Sequence, residues 1–263
     1  MATLRALLLM ASVICAAPAC AQPSGAWDDP WQSSPLVRDL ADRITFQLTF
    51  DDDSVLPVMA SGAWEPRVLG TPQFADGLVG RALVAGDGSG RIVYPRGPNA
   101  SMAGRGAVSL WICPVQWTRD NGGNTTFLTA ANGAFYLQRQ GPAHNDQGIV
   151  TRYEGVQFLI RGEVTGNQTL MVGTDKWPNG RWRLLVANWS LPTMSFSIDG
   201  GEFQTTGVDA VPEDAYFGDL AVGASGGELT LIDEITIYKR PLTREEVSAI
   251  YDTFKPQATE VEQ

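Results

Sequence analysis

Short runs of β-branched and aromatic residues, separated by clusters of Gly, Asn, Asp and Pro, constrain this chain more than any other feature. The clearest runs are Ile44 to Phe50, Arg91 to Tyr94, Ala107 to Val115, Thr125 to Ala130, Gly155 to Arg161, Trp182 to Trp189, Met194 to Ile198, Tyr216 to Val222 and Leu229 to Tyr238. Segments this short cannot bury themselves alone, so they predict an antiparallel sandwich of nine or more strands. The turn Ile198-Asp199-Gly200-Gly201 carries an Asp-Gly hairpin signal and predicts direct pairing of the strands on either side.

The last run leads into the one convincing helix. Thr243 stands as N-cap with Glu246 three residues on, and Leu242 and Val247 are placed as a hydrophobic staple. Val247, Ile250, Tyr251 and Phe254 form one stripe at helical spacing, which is expected to lie against the sandwich. Within the run itself, strict alternation puts Leu229, Leu231, Asp233, Ile235 and Ile237 on one face. Asp233 is then a carboxylate in an apolar row. It needs a cation, a ring of hydrogen-bond donors, or a strand edge open to water.

Residues 1–21 read as an export signal, with Arg5, an apolar stretch from Ala6 to Ala17, and the small-x-small site Ala19-Cys20-Ala21. Acylation of Cys20 is the alternative, disfavoured by Ala17 where such sites carry a bulky aliphatic residue. A secreted chain, extracellular or periplasmic, is the expectation. Cys15 and Cys20 leave with the signal, so Cys113 remains alone and no intrachain disulfide can form. Residues 22–40 read as a linker or an arm draped over the domain, 41–254 as a single domain, and 255–263 as a frayed tail. No segment after the signal is long and apolar enough to span a membrane. The net charge of −10 disfavours nucleic acid and other polyanions as partners.

Several segments in this order resemble the laminin G-like branch of the concanavalin A-like lectin/glucanase superfamily. They are Phe50-Asp51, Gly77-Leu78-Val79-Gly80-Arg81-Ala82-Leu83, Val108-Ser109-Leu110-Trp111-Ile112, Gly180-Arg181-Trp182-Arg183-Leu184-Leu185-Val186, Ser197-Ile198-Asp199-Gly200, and Ile232-Asp233-Glu234-Ile235 with Pro241-Leu242-Thr243. The resemblance implies an all-β, two-sheet antiparallel jelly-roll sandwich with one short C-terminal helix, its first and last strands side by side. It also implies a structural Ca2+ at that edge. Asp51 and Asp233 match the two carboxylate positions, a carbonyl near Gly80 is a third ligand, and Asp53 belongs to the same acidic run. Otherwise Asp233 caps backbone amides and Asp51 to Asp53 form a solvated turn.

Catalysis finds little support. The Glu-x-Asp-x-x-Glu pattern of the glucanase members is absent, since Asp233-Glu234-Ile235-Thr236-Ile237 has no third carboxylate in register. Gly223-Ala224-Ser225-Gly226-Gly227 fits the nucleophile-elbow formula, but a strand follows it where a helix should. The single histidine, His144, lies in a polar run with no His or Cys partner at zinc spacing.

Recognition is therefore the leading expectation. The aromatic platforms that a sugar ring would need are assigned to Trp117, which lies beside Arg119, Asp120 and Asn121, to Trp177 between Asp175 and Asn179, and to Trp64. Trp111, Trp182 and Trp189 lie in strands and are expected in the core. N-glycosylation triplets begin at Asn99, Asn124, Asn167 and Asn188, with Asn99 and Asn167 placed in loops. The expected protein is a secreted, non-catalytic module that binds a glycan or another extracellular surface component, without nucleic acid and with its oligomeric state open. A polysaccharide hydrolase or lyase and a protein-binding adhesion module are the alternatives.

Overall fold

A computed structural model describes residues 34–258 apart from 101–103, 119–122, 211–217 and 225. The signal reading of residues 1–21, the acylation alternative at Cys20, Arg119 to Asn121, Ser225 and the last five residues of the tail lie outside the described residues.

Two antiparallel sheets face each other. The larger has nine strands; its main path runs Gln204–Gly207, Thr193–Ile198, Arg183–Ser190, Arg105–Pro114, Thr230–Tyr238, Ile44–Leu48 and Met59–Ala60, and Arg81–Ala85 with Gln73–Asp76 branches from Thr230–Tyr238. The other has seven, in the order Gly166–Gly173, Gly155–Gly162, Phe135–Gln140, Thr125–Ala130, Leu220–Val222, Arg91–Tyr94 and Arg67–Leu69. First and last strands are neighbours, as the resemblance implied, with Phe46 opposite Ile237 and Leu48 opposite Ile235. The hairpin at Asp199-Gly200 pairs its two flanking strands, Thr193–Ile198 and Gln204–Gly207, directly, with Phe196 opposite Gln204.

Alternation sorts the side chains into two cores. From Arg105–Pro114, Val108, Leu110 and Ile112 point between the sheets, where they meet Phe127, Phe135, Phe158 and Trp189. Trp111 and Cys113 point to the other side, beneath the helices. Burial there raises the Cys113 thiol to about 12, so it behaves as a small apolar group. Helix α1 (Pro35–Arg38) sets Val37 against this second cluster, and Leu40 follows it in. The arm at 22–40 is thus part of the packed structure in its last residues. Helix α2 (Arg244–Ala258) lays Val247, Ile250 and Phe254 on the same cluster, with Tyr251 stacked on Trp111 at 5.8 Å between centroids. Its start is the expected capping box, in which the Thr243 N–H donates to Glu246 Oε2 at 2.8 Å and the Glu246 N–H to Thr243 Oγ1 at 3.3 Å.

One alternation fails. Between Asp233 and Thr236 the last strand carries a bulge, with Glu234 at a left-handed φ of 49°. Ile232, Ile235 and Ile237 therefore face the inner core, while Asp233 pairs with Trp111 on the opposite side. The single face expected from Leu229 to Ile237 does not exist. Asp233 instead belongs to the outward side.

Candidate functional site

The acidic edge comes first, because it carries the expected metal ligands. Asp233 is fully buried, and its Oδ2 accepts the N–H groups of Leu78 at 2.8 Å and Val79 at 3.3 Å, while Oδ1 accepts that of Glu234 at 2.8 Å. Burial and the neighbouring Glu234 push its carboxyl above the ordinary range, and the three N–H donors pull it back. Asp51 Oδ1 accepts the Arg81 N–H at 3.2 Å, and Asp53 Oδ1 takes Arg81 Nε at 2.8 Å. The Gly80 carbonyl accepts the Gly77 N–H at 3.0 Å. Gly80 has φ 55°, and a Cβ there would sit 1.9 Å from Asp51 Oδ1, so only glycine fits.

Every residue assigned to calcium is thus bonded to an N–H of this chain, and the Arg81 guanidinium already supplies a cation beside Asp53 and Asp76. Among the described residues no three His, Cys, Asp or Glu side chains converge as a metal site. The set Asp51, Asp53, Gly80 and Asp233 does not fit a calcium ion as arranged. It clamps the Gly77–Gly80 turn onto the last strand.

The tryptophan platforms fare differently from one another. Trp117 is stacked between Phe127, with centroids 6.4 Å apart, and Trp177, 6.1 Å apart, and its Nε1 donates to Thr230 Oγ1 at 2.8 Å. The guanidinium of the fully buried Arg139 sits 5.1 Å from its ring centroid. Trp177 is covered in turn by Arg183 at 5.0 Å. Neither offers an open face to a sugar, because each closes the end of the inner core. Below Trp117, Arg139 is held by Glu228 at 2.6 Å and by Glu154 at 3.5 Å. Burial lowers the pKa of this arginine, and Glu228 and then Glu154 oppose the shift. Trp64 remains exposed, on the loop that enters Arg67–Leu69. His144 is exposed in the small hairpin Ala143–His144 with Val150–Arg152.

Of the four glycosylation triplets, Asn99 and Asn188 are buried. Asn99 bonds the Gly62 N–H and the Ala63 and Pro95 carbonyls, and Asn188 bonds both backbone groups of Leu242. Asn99 keeps its loop placement, in the short turn Gly97–Asn99 between two strands, but is buried there, whereas Asn167, expected in a loop, lies in the edge strand Gly166–Gly173. Asn124 and Asn167 are exposed.

A trough of about 800 Å3 lies on the outward face of the seven-stranded sheet, the side away from the helices. Period two builds it. In Phe135–Gln140, Phe135, Leu137 and Arg139 go inward, and Tyr136 and Gln138 outward. The register then lines up Tyr136, Thr129, Ala221, Val93 and Arg67 across five strands. Small residues at the centre, Ala221 and Thr129, form a floor between long side chains at the two sides. Arg91, Gln138 and Asn124 extend the wall toward Gly223, Ala224 and Gly226, the loop that also contains Ser225. That loop joins two strands, so it is no nucleophile elbow.

None of the trough residues was among those assigned to ligand or metal; Asn124 was singled out only as a glycosylation triplet, and Gly223, Ala224 and Gly226 only within the rejected nucleophile elbow. The signal was present in the period-two text of Phe135 to Gln140, which reads as a half-buried strand with Tyr136 and Gln138 on its outer side. Chemically, the trough offers one aromatic ring, several amides and hydroxyls, two arginines and one carboxylate, Asp219. Among its described residues there is no second carboxylate, so these residues alone do not make up the acid and base pair of glycoside hydrolysis.

In sequence, residues 87–248 match the family model of the concanavalin A-like lectin/glucanases superfamily, in its laminin G form. In structure, the chain is similar to the botulinum neurotoxin serotype D binding domain, with a TM-score of 0.63, 15% identity, and coverage of 80% of this chain and 52% of that one. It is also similar to the binding domain of botulinum neurotoxin DC solved with rat synaptotagmin II (TM-score 0.62, 14% identity, coverage 81% and 52%). A third is the serotype D ligand binding domain solved with N-acetylneuraminic acid (TM-score 0.63, 14% identity, coverage 80% and 51%). The chain spans about half the length of these structures, and likeness at such identities establishes the fold. No curated protein matches the sequence.

Proposed function

Because the chain belongs to the concanavalin A-like lectin/glucanases superfamily, we propose that it is a secreted binding module that holds a carbohydrate in the trough on its seven-stranded sheet. The observation that carries this reading is the trough's construction. A floor of small side chains is flanked by Tyr136, Gln138, Asn124 and arginines, which suits sugar rings with an apolar CH face and hydroxyls around the rim. A rigid sheet orders these groups before the ligand arrives, which limits the entropy lost on binding. The solved neighbours, one with N-acetylneuraminic acid and another with rat synaptotagmin II, support a recognition role for domains of this fold. Secretion rests on the export-signal pattern of the first residues.

The test is binding of the purified protein to a broad glycan array, repeated with a Tyr136→Ala, Gln138→Ala double variant. Both positions are partly exposed on the outer face, so the fold should survive, and melting curves would verify it. Loss of binding in the double variant, with an unchanged melting temperature, is expected. Full binding by that variant would move the site elsewhere, and release of reducing or unsaturated ends from a bound polysaccharide would make the protein an enzyme.

A further inference from the structure

We propose that the ligand of the trough is an acidic saccharide bearing carboxylate groups, held by Arg91 with Arg67 beside it; this inference rests on the trough being the carbohydrate site.

The placement of the two arginines is the first ground. Arg67 lies opposite Val93, and Leu69 opposite Arg91, so the arginines occupy diagonal positions on one face of adjacent strands. Like charges so placed repel each other and gain nothing for the sheet itself. The Arg91 side chain has no ion pair or hydrogen bond among the described residues, although it is exposed and lines the trough. Arg67 reaches only to Asp219, at 3.9 Å, and both side chains are mostly in water, at 69% and 54% exposure. Such a pair is weak and easily exchanged for a ligand anion.

The balance of charge is the second ground. Among the described residues, two arginines against one aspartate leave the trough one positive charge, on a chain whose net charge is −10. A locally positive cleft in an acidic surface attracts an anionic group while the remaining surface repels a dense polyanion. A guanidinium presents two parallel N–H donors that match a carboxylate. The ligand that fits has carboxylates spaced along an otherwise neutral sugar chain. Tyr136 and the amides of Gln138 and Asn124 would then meet the ring and its hydroxyls.

The experiment compares uronic-acid and sialylated oligosaccharides with their neutral methyl esters and with sulfated oligosaccharides, on an array and by calorimetry, using the whole chain. The free acids should bind about ten-fold or more tighter than their esters. Arg91→Gln should bring the acid down toward the affinity of the ester, Arg91→Lys should recover part of the difference, and added salt should erode it. Equal binding of acid and ester, lost in the Tyr136→Ala, Gln138→Ala variant, would overturn the carboxylate inference and leave the trough reading standing. Preference for sulfated chains over carboxylated ones would also overturn it. No binding of any glycan would bring down both.

Discussion

Asp233 Oδ2 lies 2.8 Å from the backbone nitrogen of Leu78, a residue 155 positions earlier in the chain. One buried carboxylate thereby fastens the turn Gly77–Gly80 to the last strand, and three backbone N–H groups depend on it. Removing the acceptor strands those donors in the core. Asp233→Ala should cost about 3 kcal/mol in urea unfolding, because buried donors lose their partner and water does not replace it. Asp233→Asn should cost less, since one oxygen remains. A loss under about 1 kcal/mol for the alanine variant would show that the turn is held by other contacts.

The same geometry predicts indifference to metal. Asp51, Asp53, the Gly80 carbonyl and Asp233 all serve N–H donors, and Arg81 provides the positive charge for the acidic run. Excess EDTA and millimolar calcium should both leave the melting temperature unchanged. A clear rise in melting temperature with calcium would require these carboxylates to exchange their donors for the ion, by the mass-action stabilisation that any tight ligand gives.

What could be read in the residues, and what could not, divides along physical lines. The strand at Arg105–Pro114 and the capped helix were legible because period and capping are local. The bulge at Glu234 was not, because one extra residue shifts the phase of a strand without leaving a Gly or Pro to mark it. Trp117 looked open because its sequence neighbours are polar, yet the groups that cover it, Phe127, Trp177 and Arg139, come from distant segments. The trough was hidden for the same reason. Its walls come from five strands whose adjacency only the sheet order creates.

Trp117 gives a prediction that separates core from platform. It is stacked between Phe127 and Trp177, hydrogen-bonded to Thr230 and set over Arg139. Trp117→Ala should destabilise by about 3–5 kcal/mol, the usual loss for a packed aromatic, with the Arg139 and Glu228 pair opened to water. Trp64→Ala, at an exposed loop position, should stay within about 0.5 kcal/mol of the parent. Chemical denaturation of the two variants side by side measures the contrast; similar small effects would make Trp117 a surface residue after all.

Glu246 sets a pH dependence at the start of α2. Its carboxylate accepts two N–H groups of Arg240 and the N–H of Thr243, and Arg240 chiefly holds its pKa below the ordinary value, against the opposing effect of burial. The folded state thus binds this proton more weakly than the unfolded chain does. The stabilisation is complete above the unfolded value of 4.5 and is lost as pH falls through the lower folded value. Glu246→Gln removes the titration and the charge-assisted bonds together. It should cost about 1 kcal/mol near neutral pH, and the gap between parent and variant should narrow steadily below about pH 4. Melting curves of the two proteins from neutral pH down to about pH 3 test this. Asp209, also held low, titrates in both proteins and cancels in the comparison, whereas Glu245 feels the Glu246 charge and is held slightly lower once that charge is removed. A gap that stayed constant across the range would mean that Glu246 acts through its packing and not through its charge.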